Sequence, residues 1–317
     1  MNPPDLQLQL ECYLNLKQAL GFQMHAAAGL LKDFVRFVEG RGDCGPITAQ
    51  LVMEWVRSTS SRCGAAGQAS RLSIARCFLS YLRATAPETE IPERGLLAKV
   101  HRPTPYIFSP TEMQRLLDAA SLLGPRGSLR PHTFKTFIGL LAGTGLRSSE
   151  AIRLTVADVK LDLDPPRVLI RQTKFRKSRV VPLHPTTTEM LRRYCEQRLR
   201  LGYDGLSDAF FVSEQGRMLS YAAARRTFGA LTRRLGLRRT AERRAPTLHC
   251  LRHSFAVRRL LTWYQEGRDV KACLPTLSIY LGHVCPEHSY WYLTATPELL
   301  SAAAVSFQKY AEEGGQV

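Results

Sequence analysis

The chain has 317 residues, enough for one large or two ordinary domains, and 44% of them are hydrophobic, enough to form sizeable cores. Lys and Arg number 44 against 27 acidic residues, and the formal charge of +17 favours an anionic partner, most simply nucleic acid. The sequence shows no apolar run long enough for a membrane span, no secretory signal and no Cys-x-x-Cys pair among its eight cysteines. These features argue against a membrane protein, a secreted protein and a zinc ribbon, and we expect a cytoplasmic protein of a prokaryote.

The first part of the chain has the apolar spacing of short amphipathic helices. Patterns of this kind begin near Leu6, Leu30, Ile47 and Leu72. We therefore predict an all-helical domain over residues 1–90 that binds DNA, although a plain helical bundle without a ligand would show the same pattern.

Prolines and charged residues mark residues 91–108 as an extended linker. Its basic residues Lys99 and Arg102 are candidates for contact with a phosphate backbone. The tetrapeptide Ser109-Pro110-Thr111-Glu112 then matches a capping box, with Ser at the N-cap, Pro at the first helical position and Glu at the third. We place the second domain at residues 109–317.

The second domain combines helices with two short β runs, so we predict a mainly α fold with a small β-sheet. The predicted helices cover residues 134–141, 186–201, 221–235 and about 297–312, and the β runs cover 167–171 and 179–183. A basic turn separates the two runs. Arg176 and Lys177 in this turn, and Arg179 directly after it, are candidate phosphate contacts.

Arginines are dense in the helical pattern of residues 221–235. The candidates for DNA contact there are Arg225, Arg226, Arg233 and Arg234. On DNA they would supply non-specific affinity with a steep salt dependence. A solvated helix face is the alternative, because runs of like charge are often only that.

Cleaving a phosphodiester requires a nucleophile in line, stabilisation of charge on the non-bridging oxygens and a proton for the departing oxygen. Arginine meets the second need because its planar guanidinium donates to two oxygens and keeps its charge. Arg147 follows a glycine-rich break, and Arg252 lies in a His-x-x-Arg-His run. Glu150 is placed to hold the Arg147 guanidinium, with an ordinary surface pair as the alternative.

The same run supplies two histidines, His249 and His253, which share one helical face with Arg252 by their spacing. His249 is a candidate to exchange a proton at the phosphate near neutral pH, and His253 is a candidate to support it. His283, which follows a glycine, is a candidate to hydrogen-bond a non-bridging oxygen.

Lys174 and Tyr292 complete the set of candidate reacting groups. Lys174, in the basic turn, can reach a leaving 5′ oxygen and donate a proton to it. Tyr292 is the candidate nucleophile, and Tyr290 is its competitor two residues earlier. An aromatic cluster of this kind would be a packing feature in most proteins, so the identification depends on the joint occurrence of all these residues.

Four stretches in this order resemble the tyrosine recombinases of the phage integrase family. They are GTGLRSSEAIRL at 143–154, TKFRKSRVVPL at 173–183, LHCLRHSFA at 248–256, and YLGH at 280–283 followed by Tyr292. By this resemblance the catalytic residues are Arg147, Lys174, His249, Arg252, His283 and Tyr292, with Glu150 supporting the first arginine. The step from Arg252 to His283, which contains Gly267 and Pro275, is longer than we expect, and we read it as a lengthened helix–loop connection.

The resemblance implies a site-specific recombinase or integrase that cleaves and rejoins double-stranded DNA through a 3′-phosphotyrosine bond, in integration, transposition or resolution. It implies no metal and no nucleotide cofactor. It also implies dimers to tetramers on DNA, alone or with related recombinases, and a carboxy-terminal helix at about 297–312 that docks onto a neighbouring subunit. Packing of that helix on its own domain is the alternative.

Other functions remain open at this point. The same residues would serve a type IB topoisomerase-like nicking-closing enzyme, and a catalytically silent DNA-binding protein could keep the fold. A metal-dependent nuclease would use Asp158, Asp162 and Asp164, although these aspartates are better suited to flank the β runs.

Overall fold

The computed structural model describes residues 5–22, 24–42, 45–58, 63–98, 104–171, 178–237, 245–282, 290, 292–293, 299–301, 303–305 and 308. These residues are mostly helical and include a small antiparallel sheet, which confirms the predicted fold class. The chain divides into two compact units, residues 1–102 and 103–317.

The first unit contains the four predicted helices. They are α1 (Leu6–Ala19), α2 (His25–Glu39), α3 (Ala49–Arg57) and α4 (Ala65–Leu82). Asp5 and Thr48 cap α1 and α3 by accepting hydrogen bonds from backbone N–H groups of the first helical turn. The apolar faces of the four helices meet in one core that includes Phe34, Trp55 and Phe78.

The segment between the predicted domains is packed at both ends. Ile91 and Leu97 lie against the core of the first unit. Tyr106 and Phe108 are buried in the core of the second unit, and the backbone N–H of Phe108 donates to the hydroxyl of Ser254 at 2.9 Å. Lys99 and Arg102 lie outside the described residues.

The second unit carries the remaining elements. In chain order they are α5 (Pro110–Ser121), α6 (Arg130–Thr144), α7 (Ser148–Ile152), β1 (Val159–Lys160), β2 (Arg167–Ile170), β3 (Arg179–Pro182), α8 (Pro185–Arg200), α9 (Tyr221–Arg234), α10 (Leu248–Gln265) and α11 (Val270–Leu281). The capping box at the start of α5 is confirmed, because the hydroxyl of Ser109 accepts from the N–H of Glu112 and the carboxylate of Glu112 accepts from the N–H of Ser109.

Helix α6 is the centre of this unit. It packs against α5, α8 and α10, and its buried side chains include Phe134, Phe137 and Leu141. Within the described residues the sheet has the order β1-β2-β3, and both strand pairs are antiparallel. The register places Val168 opposite Val181 and Ile170 opposite Arg179. The sequence predicts β2 and β3 but misses the two-residue strand β1.

The carboxy-terminal elements differ in part from the sequence expectation. Gly267 lies between α10 and α11, but Pro275 lies inside α11 and not in a loop. Residues 299–301 and 303–305 are helical, and the rest of the predicted helix at 297–312, apart from residue 308, lies outside the described residues. Among the described helices, none is both long enough and apolar enough to cross a membrane.

Candidate active site

Gly145 ends helix α6 and places Arg147 at the start of α7. Its φ of +64° is left-handed, which favours glycine, and an added Cβ would come within 2.5 Å of the Phe255 ring. The chain therefore leaves α6 at Gly145, and the side chain of Arg147 reaches the end of α11. There its Nη2 donates to the carbonyl oxygen of Gly282 at 3.0 Å.

The first turns of α10 present His249, Arg252 and His253 on one face, as the spacing predicts. His249 is exposed and His253 is buried, and their ring centroids are 4.5 Å apart. The ring of His253 in turn lies 5.5 Å from the ring of Tyr292. The candidate nucleophile and this histidine pair are therefore neighbours in a single chain.

Arg252 is fully buried and joins two chain segments that are distant in sequence. Its guanidinium donates to the carbonyl oxygens of Gly145 at 2.9 Å and Leu281 at 2.8 Å. Burial, and then the charge of Arg147, lowers its pKa to about 10, while Tyr292 acts in the opposite direction. Arg252 therefore stays charged at neutral pH, and the phenol of Tyr292 lies within its electrostatic reach.

Glu150 is the buried carboxylate that holds Arg147. Its oxygens accept from Nη1 of Arg147 at 2.8 Å and from the backbone N–H of Arg147 at 3.0 Å. They also accept from Nη1 and Nη2 of Arg179, at 3.1 and 2.8 Å. Burial raises the pKa of Glu150, but the hydrogen bonds and charges of Arg179 and Arg147 outweigh it and lower this pKa to about 2. The carboxylate is therefore ionised throughout the neutral range.

Arg179 differs from the sequence expectation, which made it a DNA contact. Its guanidinium points inwards to Glu150, and its Nε donates to the carbonyl oxygen of Tyr280 at 2.9 Å. The alternation along β3 explains this orientation, because Arg179 shares a strand face with buried Val181 while Val180 between them is exposed. The alternation of buried and exposed positions along β3 could be read from the sequence, but the basic turn before it led us to expect that Arg179 faces solvent.

Tyr292 and Tyr290 have opposite environments. Tyr292 is 2% exposed and belongs to a buried apolar cluster with Phe255, Leu281 and Leu299, whereas Tyr290 is 51% exposed. Of the two tyrosines, the structure brings Tyr292 to the arginines and histidines.

Four predicted site residues lie outside the described residues, namely Lys174, Arg176, Lys177 and His283. All four predicted arginines of α9 are exposed, and they take part in none of the ion pairs found between described residues. They are Arg225, Arg226, Arg233 and Arg234.

The aspartates of the nuclease alternative do not form a metal site. Asp158 is buried, and its carboxylate accepts from Thr155 and from Nε of Arg171 at 2.5 Å. Asp162 and Asp164 are exposed. No group of three or more His, Cys, Asp or Glu in the described part of the chain is arranged to hold a metal ion.

The site as a whole is a cationic one. Among the described residues of the site, Arg147 and Arg179 donate to the carboxylate of Glu150 and Arg252 interacts with it electrostatically, so positive charge remains for an anion. The side chain of Arg147 is 31% exposed, against 12% for Arg179. Arg147 is therefore the one of these three arginines most open to an incoming phosphate.

Comparison with known proteins gives a consistent result. Residues 107–298 match the model of the "Phage integrase family". A protein of Sinorhizobium fredii named as an integrase/recombinase, y4rB, is 39% identical over 95% of this chain and 96% of its own length. The "Tyrosine recombinase XerC" of Herpetosiphon aurantiacus is 28% identical over 95% of this chain and 99% of its own length.

The fold is also similar to a solved structure. The XerH site-specific recombinase bound to a palindromic difH substrate, in a post-cleavage complex, superposes with a TM-score of 0.67 at 20% sequence identity. The similarity covers 90% of this chain and 80% of that one.

Proposed function

The chain belongs to the phage integrase family and is a tyrosine-type site-specific DNA recombinase, and we propose that Arg147, Arg252 and Tyr292 carry its cleavage step. The two guanidinium groups donate to the non-bridging oxygens of the scissile phosphate and oppose the charge that develops there. The phenolate oxygen of Tyr292 attacks the phosphorus, the bond to the 5′ oxygen breaks, and a 3′-phosphotyrosine bond remains.

The protons in this step must balance. The phenol of Tyr292 loses one proton and the departing 5′ oxygen gains one. We assign acceptance of the phenol proton to His249, supported by His253, and donation of a proton to the departing 5′ oxygen to Lys174. We assign a hydrogen bond to a non-bridging oxygen to His283. In the rejoining step a 5′ hydroxyl attacks the phosphorus and the phenolate leaves, so the energy of the phosphodiester bond is retained.

One observation supports these roles above the others. Arg147 and Arg252 come from distant parts of the chain, yet they donate to the consecutive carbonyl oxygens of Gly282 and Leu281. Tyr292 lies close enough to alter the pKa of Arg252. We do not favour the topoisomerase-like or catalytically silent alternatives, because the similarity to proteins named as recombinases extends over nearly the whole chain.

Double-stranded DNA is the substrate, and the chain works on it as an oligomer. Exchange between two duplexes breaks four strands, and each chain supplies Tyr292 once, so four chains are needed. Leu299 is buried in its own chain's cluster, while Leu300 and Val305 are exposed apolar residues of the same helical segment. We propose that this segment docks onto a neighbouring subunit on DNA. Because the DNA of a prokaryotic cell lies in the cytoplasm, we propose that the chain acts there.

A trapping experiment tests the proposed function even where the DNA site has not been mapped. The protein is mixed with genomic DNA of its source and denatured rapidly, and the DNA that remains attached to protein is sequenced. We expect attachment at the 3′ end of discrete breaks, through Tyr292. Attachment to no DNA, or cleavage that depends on a divalent metal, would contradict the proposal.

A further inference from the structure

We infer that Arg179 is a positioning residue for the cleavage reaction, holding Glu150 and the end of α11 so that Arg147 meets the phosphate in a fixed orientation. This inference rests on the proposed function, because it names how the same site is kept in order.

The contacts of Arg179 join three elements of the site. Its two terminal nitrogens donate to both oxygens of Glu150, and its Nε donates to the carbonyl oxygen of Tyr280. Glu150 lies in α7 beside Arg147, and Tyr280 lies in the last turn of α11. A single guanidinium therefore links β3 to α7 and to α11. This fork geometry is specific to arginine, because a lysine offers one point charge.

The difference in exposure between Arg147 and Arg179 indicates that Arg179 positions the site and that Arg147 contacts DNA. Arg147 shares Glu150 with Arg179, but only Arg147 keeps a third of its side chain open to solvent. Arg179 donates to three acceptor oxygens within the protein. A phosphate could reach Arg147 but would have to displace Glu150 or the Tyr280 carbonyl to reach Arg179.

Arg179 also determines the charge of Glu150. Burial alone raises the pKa of this carboxyl, and the hydrogen bonds and charge of Arg179 are the largest opposing influence, followed by those of Arg147. Arg252 lies nearby and interacts with the same carboxylate. Without Arg179 the pKa of Glu150 rises, because burial is then opposed mainly by Arg147, and the carboxyl loses its charge at a higher pH than in the wild type. A neutral Glu150 no longer holds Arg147 through an ion pair.

The test compares Arg179→Ala with Arg171→Ala as a matched control. Arg171 also pairs with a buried carboxylate at the sheet, but its partner is Asp158 and not Glu150. Single-turnover cleavage of a nicked DNA substrate carrying the mapped site is measured across about pH 5.5 to 8.5, together with DNA affinity and thermal unfolding. We expect Arg179→Ala to slow cleavage by about tenfold or more with little change in affinity, because misplacing a catalytic group is costly.

Two further results distinguish positioning from a merely structural role. The rate of Arg179→Ala relative to wild type should fall further as the pH is lowered. Arg179→Ala should also slow the Glu150→Gln variant by a smaller factor than it slows the wild type, because only the contact with the Tyr280 carbonyl is then left to lose. Arg179→Lys, which keeps the charge but not the fork, should be slowed by a smaller factor. Arg171→Ala should cleave at close to the wild-type rate.

The opposite results overturn the inference. The inference is wrong if Arg179→Ala cleaves at the wild-type rate or loses only DNA affinity. It is also wrong if the effects of Arg179→Ala and Glu150→Gln on the rate are additive, or if the ratio of the Arg179→Ala rate to the wild-type rate does not change with pH. If Arg179→Ala does not fold, the cleavage rate of Arg179→Lys tests the inference, and a wild-type rate in that variant overturns it. Absence of covalent cleavage in the wild-type protein would instead contradict the proposed function.

Discussion

Arg252 donates a hydrogen bond to the carbonyl oxygen of Leu281 at 2.8 Å and so ties the start of α10 to the end of α11. Arg147 donates to the carbonyl oxygen of the next residue, Gly282. The geometry of one helix end therefore fixes both guanidinium groups. Changes at this end should affect catalysis even where the changed residue has no reactive group.

Gly282→Ala is the most direct test of this dependence. Gly282 has a φ of +69°, and an added Cβ would come within 2.6 Å of Nη1 of Arg179. We expect the shift of Arg179 and of the Gly282 carbonyl to slow cleavage by about tenfold or more. Stability should also fall by about 1–3 kcal/mol from backbone strain.

Gly267→Ala is the matched control for that strain. Gly267 has nearly the same φ, +67°, but an added Cβ would have no atom within 4 Å. The control should lose comparable stability and keep its cleavage rate. Equal cleavage by both variants would show that the end of α11 does not position the arginines.

The two catalytic arginines should differ in what they contribute to stability. Alanine at Arg147 or Arg252 should reduce cleavage by roughly 100-fold or more, because each removes a donor to the developing charge. Arg252→Ala also leaves two buried carbonyl groups without their donor, at about 1–3 kcal/mol each. Thermal unfolding should therefore show a lower midpoint for Arg252→Ala than for Arg147→Ala, and equal midpoints would contradict the contacts described for Arg252.

The stability of the folded chain in acid tests the ion pairs that Glu150 makes with Arg147 and Arg179. Its pKa in the folded chain, about 2, is below the ordinary value of 4.5, so the folded state favours the ionised form. The stabilisation is complete above pH 4.5 and is lost as the pH falls towards 2; its size is on the order of 3 kcal/mol. Chemical denaturation at several pH values should show that Glu150→Gln is less stable than wild type at neutral pH and that the difference narrows below pH 4.5. A difference that stays constant with pH would contradict the assigned ion pairs.

The exposed arginines of α9 should govern the salt dependence of DNA binding. Replacing Arg225 and Arg226 by Ala should reduce the slope of log affinity against log salt by about 1 to 2, since each phosphate contact contributes about 0.9. Replacing Arg193 and Arg200, exposed on α8, changes the net charge equally and serves as the control. Equal slopes in the two double variants would indicate that these arginines of α9 form a solvated helix face and do not contact DNA.

The sequence predicts most helices of this fold, although not α11, because their apolar periodicity and caps are local signals. The capping box at Ser109 and the glycine break before Arg147 are examples, and both appear in the structure. The inward turn of Arg179 is only in part a local signal. The alternation along β3 places Arg179 on the strand face of buried Val181, but its partner Glu150 lies in α7, a segment that only folding brings against it. Likewise, the sequence around Arg252 gives no sign of the two carbonyl groups that it holds, which come from segments brought together only by folding.

The central claim is that Tyr292 becomes covalently joined to DNA while Arg147 and Arg252 hold the phosphate. The direct measurement is the covalent protein–DNA band formed on a nicked substrate and resolved by denaturing electrophoresis, with Tyr290→Phe as the matched control for Tyr292→Phe. We expect Tyr292→Phe to bind DNA and form no band, and Tyr290→Phe to form the band as wild type does. A band that persists in Tyr292→Phe and disappears in Tyr290→Phe would contradict the account.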